Sequence, residues 1–156
     1  MKKIFCNLKG GLGNQLFQVA AAYGYAIENN FEPIFPIQCD QNCTRKESYE
    51  TTILKNIKRI QNLNGEWVFY KEIGFEYNKI PNCKTNIYID GYFQSFKYFD
   101  KYKKEIKNLF VNNLNFIDDV LIHLEKVEKV SIHVRRGDYL NFPDIHPVLD
   151  ISYYEK

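Results

Sequence analysis

The sequence predicts an α/β fold built on a parallel sheet, and three stretches predict it. A short apolar segment, Ile4 to Leu8, runs into a Gly-rich turn, Lys9-Gly10-Gly11-Leu12-Gly13. A stripe at three- and four-residue steps follows: Leu16, Phe17, Ala20, Ala21, Gly24 and Ile27. A second extended segment, Phe31 to Ile37, comes directly after. Strand, loop, helix and strand in that order open an α/β layer domain.

Each element has its own signals. Asn14 is placed to cap the helix, and Asn29-Asn30 to stop it. Pro33 and Pro36 put the second strand at an edge or in an isolated extended segment, because proline cannot donate to a ladder. Residues 38–50 are polar and irregular, and Thr51 to Ile60 is weakly helical. Trp67 to Ile73 and Asn86 to Tyr92 read as strands, the latter closed by Asp90-Gly91. Ser95 is placed to cap a helix through about Phe110. A further helix fits Phe116 to Val127 on the stripe Ile117, Val120, Leu121 and Leu124. Val130 to Arg135 alternates as a strand, with His133 and Arg135 on one side, and Arg136-Gly137-Asp138 turns the chain. Ser152-x-x-Glu155 is a capping box that announces a helix, so a chain stopping at Lys156 is expected to be cut short.

Composition excludes several classes. The chain has 156 residues, 45% hydrophobic and 26% charged, enough for a core and unlike a disordered segment. No run approaches the roughly 20 apolar residues of a membrane span. The basic start Met1-Lys2-Lys3 has no long apolar segment behind it, so secretion is not expected and a cytoplasmic location is. A net charge of +2 does not suggest nucleic-acid binding. Of Cys6, Cys39, Cys43 and Cys83, only Cys39 and Cys43 lie close together. Reduced thiols fit better than zinc, which usually shows two paired clusters.

Two motifs carry chemistry. In Lys9 to Gln18, KGGLGNQLFQ, three glycines before a helix let backbone N–H groups approach a ligand, and the helix start favours phosphate. The loop is neither a P-loop nor a dinucleotide fingerprint, since Leu16 sits where the third glycine belongs. It also reads as a tight packing turn. In His133 to Tyr139, HVRRGDY, paired arginines at a strand end suit either a diphosphate or a salt bridge with a carboxylate such as Asp138.

Together GGLGNQLFQ, GYFQSFKYF at 91–99, and HVRRGDY followed by HPVLDISYYEK resemble the α-1,2-fucosyltransferases of glycosyltransferase family 11, over essentially the whole chain. The resemblance implies a Rossmann-like N-terminal lobe of a two-lobed GT-B enzyme. It implies inverting transfer of fucose from GDP-fucose to the 2-hydroxyl of a terminal galactose, with no required metal or other cofactor. On this likeness His133, Arg135, Arg136, Gly137, Asp138 and Tyr139 form the donor-binding signature, Arg135 on the diphosphate. Gly10, Gly11, Gly13, Asn14 and Gln15 form a loop bordering the cleft. Asp138 is the candidate catalytic base, with Asp90 and His133 as further candidates. The partners implied are a nucleotide sugar and a glycan acceptor. The family's second lobe, with its Asn-Ser-Ser-Phe-Ser-Trp-Trp run, is not found. Residues 1–156 therefore read as an N-terminal lobe ending just after the signature, without the donor-binding lobe. A non-catalytic fragment retaining sugar or nucleotide binding is the alternative, and an unrelated nucleotide-binding half-domain stays open beside it.

Overall fold

A computed structural model describes residues 1–37, 47–111, 134, 140–141, 144 and 149–154. The chain divides into two compact units, Met1–Asn115 and Phe116–Lys156.

The first unit is a five-stranded parallel sheet in the order β3-β2-β1-β5-β4. In sequence it runs β1 (Lys2–Cys6), α1 (Leu12–Asn29), β2 (Phe31–Pro36), α2 (Glu47–Thr51), β3 (Arg59–Ile60), β4 (Trp67–Lys71), β5 (Asn86–Asp90) and α3 (Lys103–Val111). The predicted α/β class holds, and the parallel sheet is consistent with a Rossmann-like lobe. Ile4, Cys6, Ile87 and Ile89, all without solvent exposure, share a core with Val19 and Ala22 of α1. Phe5, Tyr88 and Phe69 are in register across β1, β5 and β4, with ring centroids 4.9 and 5.1 Å apart.

The boundaries differ from the sequence reading in physically instructive ways. β1 ends at Cys6 instead of Leu8, although Leu8 stays fully buried below the turn. The cap of α1 is Gly11, so Asn14 lies inside the first turn. Asn30, left-handed at φ 57°, ends the helix as predicted, its N–H bonded to Ala26 O.

β2 is flanked by β1 and β3, which corrects the edge assignment. The prolines cost no ladder bonds there. Phe35 and Ile37 donate to Lys58 O (2.9 Å) and Ile60 O (3.0 Å), so the nitrogen of Pro33 also points to the β3 side. β3 pairs only with Phe35 and Pro36 and does not reach it. Pro36 lies past the paired stretch of β1, which ends at Phe5↔Ile34.

The predicted weak helix over Thr51 to Ile60 does not form: after Thr51, the last residue of α2, the chain turns on buried Leu54 and Ile57 and enters β3 at Arg59. β4 and β5 run parallel without a helix between them. Their connection is held by Tyr25 of α1, whose hydroxyl donates to Pro81 O (3.0 Å) and accepts from Cys83 N–H (3.2 Å). The single helix expected after Ser95 is broken into 3₁₀ turns, Phe96–Tyr98 and Asp100–Tyr102, and then α3. The break packs the Tyr98 carbonyl against Gly24, where an added Cβ would lie 2.5 Å from that oxygen.

In the second unit Ile151–Tyr154 form one helical turn. Asp150, not Ser152, caps it: Asp150 Oδ1 accepts the Ser152 N–H at 2.9 Å and its hydroxyl as well. The helix predicted over 116–127 and the strand over 130–135 lie outside the described residues, Val134 excepted.

Candidate functional site

From β1 the chain order moves to β2 on one side, while β5 lies on the other. Ligands of open α/β sheets sit outside the strands' carboxyl ends at such a reversal. Cys6 and Asp90 are the last residues of the two strands, so the 7–11 loop and the 91–95 segment border this position.

Two buried glutamines on α1 shape the loop from below. Gln18 accepts the Lys9 N–H at 2.9 Å and returns its amide N–H to Lys9 O at 3.1 Å. Gln15 donates to Gly10 O at 2.9 Å, so it lies beneath the loop. Gly10 turns at φ 75°, and a Cβ there would stand 2.3 Å from the Asn14 amide nitrogen. Gly11 and Gly13 are exposed, and a Cβ added at either would meet nothing within 4 Å. Neither has a positive φ, so packing among the described residues does not require glycine at either position. No side chain caps α1, and its first turn holds no acidic residue. Its leading N–H groups therefore present positive potential beside the loop. Gln94 donates to Asn14 Oδ1 at 2.6 Å and ties the 91–95 segment to this turn.

Charge enters through Lys9 and Asp90. The ammonium lies 2.7 Å from Asp90 Oδ1 and 5.3 Å from the Tyr92 ring centroid. Behind them burial pushes the Cys6 thiol well above its usual pKa, and the Asp90 charge pushes it further, so it stays protonated.

Glu72, directly after β4, carries no signal in the sequence. Its Oε2 accepts the N–H groups of Tyr92 (2.7 Å) and Phe93 (2.8 Å), and Tyr98 OH donates to its Oε1 at 3.4 Å. Gly91 makes this possible, since a Cβ there would lie 2.4 Å from Glu72 Cβ. The carboxylate holds Phe93, fully buried, at φ 51°, a conformation phenylalanine rarely adopts. A carboxylate whose partners are backbone donors some twenty positions later leaves no local motif.

Of the predicted site residues, the structure brings together Gly10, Gly11, Gly13, Asn14 and Gln15, with Asp90 beside them through Lys9. His133, Arg135, Arg136, Gly137, Asp138 and Tyr139 lie outside the described residues, as do Cys39 and Cys43. Cys6 and Cys83 are free and buried. Among the described residues no helix is long and apolar enough to cross a membrane.

The sequence model of the family described as Glycosyl transferase family 11 matches residues 6–156. The O-antigen biosynthesis glycosyltransferase WbnK of Escherichia coli is 31% identical to the chain, the match covering 96% of the chain and 65% of the relative. An alpha-1,2-colitosyltransferase of Escherichia coli is 26% identical, over 99% of the chain and 62% of the relative. A galactoside 2-alpha-L-fucosyltransferase of Caenorhabditis elegans is 29% identical, over 85% of the chain and 41% of the relative. The chain thus spans less than two thirds of the length of these relatives. No solved structure gives a significant match.

Proposed function

The chain belongs to glycosyl transferase family 11, and from that membership we propose that it serves inverting transfer of fucose from GDP-fucose to the 2-hydroxyl of a galactose-type acceptor, as a GT-B lobe. The observation that carries this reading is the open Gly11–Gly13 turn leading into α1 at the β1/β5 reversal. A turn whose glycines no neighbouring side chain demands is suited to the close approach of a ligand. The leading N–H groups of α1 favour an anionic one.

In the proposed reaction the bond between fucose C1 and the diphosphate oxygen breaks, and C1 bonds to acceptor O2. GDP leaves with the electron pair, and the O2 proton passes to a carboxylate or imidazole, with Asp138 the first candidate. Negative charge grows on the diphosphate, and a fixed guanidinium stabilises it as it forms. Arg135 is proposed for that role, with His133, Arg136, Gly137 and Tyr139 around it. On this reading the Arg135 guanidinium supplies the positive charge that a metal could otherwise provide, so no metal is required.

The test is GDP release from GDP-fucose with lactose as acceptor, alongside mass spectrometry of the glycan. Release that requires lactose, survives EDTA and falls on the order of 10²–10³ in Arg135→Ala is the expected result. GDP-fucose bound but never turned over would replace catalysis with the sugar-nucleotide-binding alternative. Colitose is a second possible transferred sugar, favoured by the likeness to the colitosyltransferase. Competing the two donors for one acceptor decides between them.

A further inference from the structure

Next to the Gly-rich turn lies a groove of about 560 Å³, within the roughly 300–1,000 Å³ of small-molecule sites. Phe75, Tyr77 and Phe96 line it, 78%, 40% and 60% exposed. Three aromatic rings left in water around one concavity mark a binding surface. Its floor is fixed: the Tyr77 ring centroid lies 4.8 Å from that of Tyr98, and Tyr98 stands edge-on to buried Phe93 at 5.3 Å. Glu72 holds the Tyr98 hydroxyl and the backbone of Phe93. The groove is continuous with the candidate site, because Gln94 lines it and also bonds Asn14 of the turn.

We propose that this groove is an acceptor subsite that holds a pyranose ring of a neutral glycan. The proposal rests on the reading of the chain as part of a glycan-modifying transferase. A pyranose presents C–H groups on its faces and hydroxyls around its edge. The C–H face matches the negative face of an aromatic ring, here Phe75 or Phe96. The hydroxyls match the polar groups between the rings: the Gln94 amide, the Glu76 carboxylate and the Lys97 ammonium. Glu76 and Lys97 are the two charged residues lining the groove, and they cancel. A neutral sugar fits that balance, whereas a nucleotide would meet no net positive charge.

Titrating the isotopically labelled full chain with lactose and following its amide NMR signals tests the proposal. Shifts concentrated at 75–77 and 94–97 are expected, with affinity weakened on the order of tenfold in Phe75→Ala and in Phe96→Ala. Both rings are exposed, so the variants should keep the native spectrum. The proposal is overturned by shifts elsewhere, by no shifts at millimolar lactose, or by variants that titrate like the parent. It is equally overturned if GDP or dilution moves the same amides and blocks lactose, which would assign the groove to a nucleotide or to a second copy. Groove binding without GDP release from GDP-fucose would sink the transfer reaction and leave the sugar site standing. Lactose-dependent GDP release with an unchanged acceptor KM in Phe96→Ala would do the reverse.

Discussion

The Lys9 ammonium lies 2.7 Å from Oδ1 of Asp90 and bridges the turn after β1 to the last residue of β5. Both side chains are about one-fifth exposed (19% and 20%), so water screens the pair incompletely.

Removing either partner leaves the other charge half-buried. Lys9→Ala and Asp90→Ala should each cost about 1–3 kcal/mol in urea denaturation. The double variant should lose less than their sum, with coupling of at least about 0.5 kcal/mol. Strict additivity would show that the contact contributes nothing.

Glu72 should matter more than its position at a strand end suggests. Glu72→Ala strands the Tyr92 and Phe93 N–H groups and removes what offsets the strain at Phe93. A loss of about 3 kcal/mol is expected, from two bonds to a charged acceptor at roughly 1.5 kcal/mol or more each. Glu72→Gln keeps an acceptor oxygen and should lose clearly less. Equal midpoints for the alanine variant and the parent would refute the role.

Gly24 and Gly13 are both helical glycines, yet alanine should act oppositely at the two. At Gly24 the new methyl meets the Tyr98 carbonyl and Phe99 Cα, and overpacking of about 1–3 kcal/mol outweighs the gain in helix propensity. At Gly13 the methyl meets open space, and alanine should stabilise by about 0.5–1 kcal/mol. On the proposed function Gly13→Ala also weakens donor use, because the methyl stands where the ligand approaches. A thermal melt paired with a donor KM checks both halves, and a stabilised Gly13→Ala with unchanged donor KM would free the turn of any ligand role.

The Tyr98 phenol ties stability to alkaline pH. Burial, with the Glu72 charge adding to it, pushes its pKa from about 10 up to about 12, against a lowering contribution from the Asn78 N–H. Between those values the unfolded chain has lost a proton that the folded chain keeps, so stability falls as pH rises. The contribution is complete below about pH 10 and gone above about pH 12. Urea midpoints across that window should slope downward, and Tyr98→Phe should flatten part of the slope. Tyr23, Tyr25, Tyr70 and the Cys6 thiol, raised by burial as well, slope in the same direction and keep the variant from becoming flat. An identical slope in the variant would contradict the assignment.

The first β-loop-α-β unit is legible in the sequence because its signals are local: a helical stripe, three glycines in a turn, an asparagine at the end. Asp90, too, stands out there as a candidate. What escapes depends on who stands alongside. The prolines of β2 argue for an edge, and only the shortness of β3 explains why a flanked strand tolerates them. Ser95 suggests one helix through about Phe110, whereas the chain breaks into 3₁₀ turns where the Tyr98 carbonyl packs against Gly24 of another element. The three glycines point to a tight turn that backbone N–H groups could use to approach a ligand. That Gln15 and Gln18 hold it from underneath depends on helix phase relative to a loop, which residue type does not encode.

Cys6 is sealed at the end of β1 and Cys83 is packed beside the Tyr25 hydroxyl, both within the core. A maleimide can reach these sulfurs only when the surrounding structure parts. Peptide-resolved alkylation in native buffer would therefore time how often the sheet opens, with no probe introduced. The core of this chain already carries its own stopwatch.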